Sequence, residues 1–91
     1  MLAIEWSRSA RQDLAEILDF VADDNPRAAR KMKTLLTAAI VPAAEHPLLF
    51  RRGRVDGTRE IVVHPHYLLI YQVATDRIKV LRVLHARRQY P

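Results

Sequence analysis

Arginine, histidine and tyrosine are the residues that can do chemistry in this 91-residue chain, and they gather in its second half. Arg51, Arg52, Arg54 and Arg59 stand close together, and Arg87 and Arg88 stand near the end. Guanidinium groups are permanently charged forks that recognise phosphate or carboxylate, although the same residues on a solvated face only keep a protein soluble. The net charge of +5 and the pI near 10.2 point to an acidic partner, either nucleic acid or an acidic protein. His85 lies beside Arg87, Arg88 and Tyr90. An imidazole or phenol next to cations suits general acid–base work on a phosphodiester, and the plain alternative is a polar cap on a strand end.

Other candidates weigh less. His64-Pro65-His66 puts two imidazoles close together, but Pro65 suits a turn or an edge, and neither a carboxylate nor a cysteine lies near enough in sequence to complete a metal site. No metal is expected. Arg82 falls mid-strand between Val80 and Leu84, where an unpaired charge is costly. It either touches a partner from the open side of a sheet or pairs with an acid such as Glu60. Tyr67 and Tyr71 share a strand face with Leu69 and Val73, which reads as packing.

The elements that must position these residues follow from periodicity. Residues 57–73 and 78–83 contain three runs rich in Val, Ile, Leu and Tyr, broken by His-Pro-His and Ala-Thr-Asp-Arg, and they predict a three-stranded antiparallel meander. In the last strand simple alternation puts Ile78, Val80, Arg82 and Leu84 on one face. Residues 2–6 predict a short first strand. Ser7 and Ser9 are possible N-caps for a helix whose apolar stripe is Ala10, Leu14, Ile17, Leu18 and Val21. Asn25 and Pro26 restart a second helix with the stripe Ala29, Met32, Leu36, Ala39, Ile40 and Ala43, so the pair forms an antiparallel hairpin. Pro42 should kink or fray its end, and Glu45-His46-Pro47 closes it. Leu48, Leu49 and Phe50 read as an apolar anchor for the loop before the meander. The fold class is α+β, β-α-α-β-β-β: a helical hairpin on one face of a small antiparallel sheet, with the other face partly open and the two arginine clusters gathered on one basic face.

Composition sets the bounds. The length fits one domain, 1–91, able to bury a core but with little margin. The absence of cysteine rules out a disulfide framework and a thiolate metal site, and suits a reducing cytoplasm. The first residues carry a charge too early for a signal peptide, and no apolar run is long enough to span a bilayer. A cytoplasmic location is the expectation.

The element order, with Ser7 and Ala10 ahead of Asp13-Leu14 and Ile17, then Gly57-x-Arg59-Glu60, Tyr67-x-x-x-Tyr71 and Val83-Leu84-His85-Ala86-Arg87-Arg88, resembles the RelE/ParE superfamily of type II toxin–antitoxin toxins. Glu45-His46-Pro47 and His85-Ala86-Arg87-Arg88-Gln89 are most similar to the ParE-type, plasmid-stabilisation branch. That resemblance implies a toxin that binds and inhibits DNA gyrase, with no cofactor and no membrane. It also implies neutralisation by a cognate acidic antitoxin, through which the complex reaches operator DNA. His85, Arg87 and Arg88 are then the first target-binding candidates, with Arg51, Arg52, Arg54 and Arg59 as further ones.

The RelE-like branch holds ribosome-dependent mRNA interferases, for which His85, Arg87 and Tyr90 would be the acid–base and cationic groups. Nuclease members carry arginine directly after the aromatic that starts the third strand, and here Leu68 follows Tyr67. Where that branch carries lysines on the preceding strand, this chain has Glu60 and Val62. Losing such donors costs a phosphodiester transition state roughly 2–4 kcal/mol each, so binding is the favoured reading over catalysis. A third reading is a non-toxic remnant acting only in antitoxin binding and autorepression.

Overall fold

The computed structural model describes residues 1–64 and 66–86. Its elements run β1 (Ala3–Trp6), α1 (Arg8–Asp24), α2 (Pro26–Ala39), α3 (Val41–Glu45), β2 (Thr58–His64), β3 (Tyr67–Val73) and β4 (Arg77–His85). The predicted order of strand, two helices and three strands is the observed one. Arg87, Arg88 and Tyr90 lie outside the described residues, as does Pro65.

Local chemistry starts and stops the helices. Ser7 accepts from the Ala10 amide and is the N-cap of α1. Asn25 ends α1, accepts from the Ala28 amide, and hands the chain to Pro26 at the first position of α2, where the missing N–H is no loss. The second helix stops at Ala39, and Pro42 opens the separate short helix α3. The expected fraying at Pro42 therefore takes the form of a break and a restart.

The sheet differs from a purely antiparallel one. Its order is β1-β4-β3-β2, with β2, β3 and β4 as the antiparallel meander and β1 parallel to the first half of β4, from Ala3 opposite Arg77 to Trp6 opposite Val80. The chain can make that parallel rung because the helical hairpin and the meander intervene as the crossover. A meander pattern in sequence says nothing about which strand the N-terminal segment joins, so the mixed sheet was not legible.

Helices and sheet close over one core. Ala10, Leu36, Ile40, Ala43 and Ala44 meet Ile61, Leu69, Tyr71, Ile78, Val80 and Val83. The opposite face is less open than expected: Leu68, Ile70 and Leu84 are buried there, while Val62 and Gln72 are exposed. Simple alternation fails in β4. Ile70 pairs with Arg82 but Tyr71 pairs with Val80, so a bulge at Leu81 shifts the pleat by one residue. Ile78, Val80 and Val83 consequently face the core, and Arg82 and Leu84 turn to the other side, correcting the grouping read from period two.

Before β2 the loop is tied down rather than anchored by all three apolar residues. The Phe50 ring packs edge-on against Tyr71, but Leu48 and Leu49 point outward and are 70% and 69% exposed. The Tyr71 hydroxyl donates to the Pro47 carbonyl at 2.6 Å. Gly57, at φ 82°, makes the left-handed turn into β2 that a side chain would disfavour.

Burial of Tyr71 raises its pKa above the ordinary 10.0, against the opposing charge of Arg59. The folded phenol thus stays protonated where the unfolded one ionises, so its contribution is complete below pH 10 and is lost as pH rises toward the folded value. Tyr71→Phe should cost about 1 kcal/mol at neutral pH in urea unfolding and flatten the fall in stability above about pH 10. An unchanged alkaline slope would remove Tyr71 from that role.

Candidate target-binding surface

The cations suggested by sequence are divided by the sheet into two places. Arg51, Arg52, Arg54 and Arg59 lie at the entry to β2, where Thr58 pairs with Gln72. His85 ends β4 opposite Tyr67, which also pairs with His64. These rows are at opposite ends of strands about 20 Å long, so the arginine loop and the exit of β4 do not share one end of the sheet.

Arg51 and Arg59 are engaged internally. Arg51 Nε donates to Glu60 Oε1 at 3.0 Å, and the Glu60 carboxylate is buried, its Oε2 without a hydrogen-bond partner among the described residues. Arg59 Nη1 donates to the Phe50 carbonyl at 2.7 Å and to that of Leu48 at 3.4 Å. Arg52 bridges Arg59 through the backbone and leaves its side chain exposed, as does Arg54. Arg52 and Arg59 line a cleft of about 340 Å³ with Leu48, Val55, Thr58 and Val73.

His85 is exposed, its ring nearly parallel to that of His66 at 5.6 Å between centroids and edge-on to Tyr67 at 5.7 Å. The Ala86 amide donates to the His66 carbonyl and closes this end of the hairpin. His66 and His85 are thus neighbours although they stand nineteen positions apart in sequence. Among the described residues there is no group of three or more metal-ligating side chains.

Arg82 has the most definite environment. It does not pair with Glu60: from the face away from the core its Nε and Nη2 donate to both oxygens of Asp13 at 2.7 and 3.0 Å, and Asp13 Oδ2 also accepts from the Val83 amide at 2.9 Å. The hydrogen bonds to Asp13 hold the Arg82 guanidinium further above its usual pKa, against the opposing effect of burial. Ser7 adds a bond from its hydroxyl to the Leu81 carbonyl at 2.9 Å. Sequence reasoning noted Ser7, Ala10 and Asp13 as a pattern without seeing their purpose. Their i, i+3, i+6 spacing was the available signal, since it brings a cap, a small buried contact and a carboxylate to bear on a neighbouring element.

This fold and these positions define a toxin of the RelE/ParE superfamily. A family model described as the ParE toxin of the type II toxin–antitoxin system parDE matches residues 4–90, and the chain belongs to that family. The toxin RelE2 of Caulobacter vibrioides is 36% identical over 90 residues, covering 97% of this chain and 99% of the relative. Among solved structures, the chromosomal ParDE toxin–antitoxin system from P. aeruginosa is similar with a TM-score of 0.81 at 24% identity, covering 93% of this chain and 96% of that one. The toxin–antitoxin complex RelBE2 from Mycobacterium tuberculosis matches at 0.61 and 21%, covering 92% and 96%.

Removing the Asp13 carboxylate should leave the Val83 amide and a half-buried guanidinium without acceptors. Asp13→Ala should therefore lower stability by about 2–3 kcal/mol, and Asp13→Asn by less, since the amide oxygen still accepts. Chemical denaturation measures both, and equal losses would mean that the amide oxygen restores nothing and that the tie depends on the carboxylate charge.

Proposed function

We propose that this type II toxin acts by binding rather than by catalysis, in the ParE manner, by inhibiting DNA gyrase, and that a cognate acidic antitoxin silences it. The observation that carries the reading is the cross-strand row Val62, Leu68 and Leu84, apolar throughout, at the place where a nuclease of this superfamily needs cations. The neighbouring row Glu60, Ile70 and Arg82 adds one guanidinium, and Asp13 already holds it. A phosphodiester transition state over these rows lacks the electrostatic donors that stabilise its developing charge. His85, Arg87 and Arg88 are the proposed target contacts, with Arg52 and Arg54 as further cations.

An antitoxin partner is supported by the company of this fold, since the P. aeruginosa and M. tuberculosis structures come from toxin–antitoxin pairs. In this reading the complex reaches operator DNA through the antitoxin, and the toxin works in the cytoplasm. Among the described residues no helix is long and apolar enough to cross a membrane.

A second reading follows from the name RelE2 carried by the Caulobacter relative: ribosome-dependent mRNA cleavage using His85, Arg87 and Tyr90. Pulse labelling after induction without antitoxin separates the two. DNA synthesis failing first supports gyrase, whereas early arrest of protein synthesis with cut transcripts supports cleavage. Tyr90→Phe sharpens the result, because it removes a proton donor and little volume: a nuclease should lose orders of magnitude in cleavage, and a binder should keep its toxicity. Arg87→Ala with Arg88→Ala should abolish toxicity in a chain that still folds, and full toxicity in that variant would reject the tail as the contact.

A further inference from the structure

Leu48 and Leu49 are large apolar side chains exposed at 70% and 69%, and the backbone that carries them is held firmly. The Leu49 amide donates to the His46 carbonyl, Tyr71 holds the Pro47 carbonyl, and Arg59 reaches the carbonyls of Leu48 and Phe50. Phe50 is packed against Tyr71 on the far side. A loop pinned at four successive residues with two leucines facing water is not a loop that failed to pack. It gives up hydrophobic stabilisation to present a preformed apolar ridge, and preorganised apolar ridges are where binding energy concentrates.

Leu48 stands between two depressions. One is the cleft of about 340 Å³ shared with Val55, Val73 and Arg52, and the other lies against Glu45, His46 and Leu49. Around the ridge the arginines Arg51, Arg52, Arg54 and Arg59 outnumber the acids Glu45, Asp56 and Glu60, the last of which is paired with Arg51. Arg52 and Arg54 are exposed at its rim. A complementary partner must supply apolar side chains for the leucines and clefts, and carboxylates for the rim. Nucleic acid would satisfy the arginines but has no use for the leucines.

We propose that the loop 46–55 is a docking ridge for an acidic amphipathic segment of the antitoxin, distinct from the end of β4 where His85 lies. The inference rests on the reading that such an antitoxin exists. The arginine rim accelerates encounter, and the leucines hold the segment once it has landed. Engagement here leaves the opposite end of the sheet free for other contacts.

The test is isothermal titration of the purified full chain with the purified acidic protein encoded by the adjacent reading frame. Wild type is compared with Leu48→Ser/Leu49→Ser and with Arg52→Glu. The expected result is at least about a tenfold loss of affinity for the double serine variant with an unchanged melting temperature, since neither leucine is buried. If the double variant folds poorly, Leu49→Gln alone gives the same reading at smaller amplitude. Unchanged affinity in the leucine variants overturns the ridge while leaving the antitoxin assignment intact. Loss from Arg52→Glu alone also overturns it, because the surface would then be purely electrostatic. Failure of the wild type to bind removes the antitoxin reading, and the ridge with it.

Discussion

Backbone satisfaction along β4 is the constraint on which the rest of the structure depends. The strand has nine residues, but its neighbour β1 has four and pairs only with Arg77 to Val80. From Leu81 onward one edge of β4 would face the solvent or the helix with unpaired groups, a cost comparable to lost hydrogen bonds. The chain answers by ending β1 early and turning straight into α1. The Ser7 amide makes the last rung to the Val80 carbonyl, the Ser7 hydroxyl takes the Leu81 carbonyl, and Asp13, two turns up the helix, accepts from the Val83 amide. A serine and an aspartate thus replace the missing half of an edge strand, and in doing so they fix where α1 lies on the sheet.

The same region turns a charge into a structural tie. The bulge at Leu81 moves Arg82 off the core face, and the guanidinium closes on Asp13 with two bonds. Arg51 answers the buried Glu60, Arg59 holds loop carbonyls, and Arg77 joins β4 to Glu5 of β1 at 2.7 Å. The net charge of +5 therefore overstates how many guanidinium groups are available to a partner, because several already have acceptors within the chain. The face away from the helices carries the apolar row Val62, Leu68 and Leu84, and the guanidinium of Arg82 beside it is already held by Asp13.

Separation along the strands organises what remains. The arginine loop and its leucine ridge stand at the entry to β2, and His66, Tyr67 and His85 cluster at the exit of β4. Two surfaces of different character thus stand at opposite ends of one small sheet.

Much of this was legible in the linear chain. The helix starts were bracketed by Ser7 or Ser9 and by Asn25 with Pro26, because caps and fixed φ act within a few residues, while the break after Ala39 was not; the three strands of the meander followed from β-branched runs and turn signals, and the α+β order from both together. The resemblance of Ser7, Ala10, Asp13 and the Val83 to Arg88 run placed the family, which comparison with relatives bore out. Non-local facts were decided only by tertiary structure. The parallel pairing of β1 with β4, the bulge that reverses the faces of Arg82 and Val83, the choice of Asp13 over Glu60 as the partner of Arg82, and the outward turn of Leu48 and Leu49 all depend on contacts between residues far apart in sequence. Local propensity carries no register between distant strands, and a side chain's partner is chosen by what the packed backbone brings within a few ångströms of it.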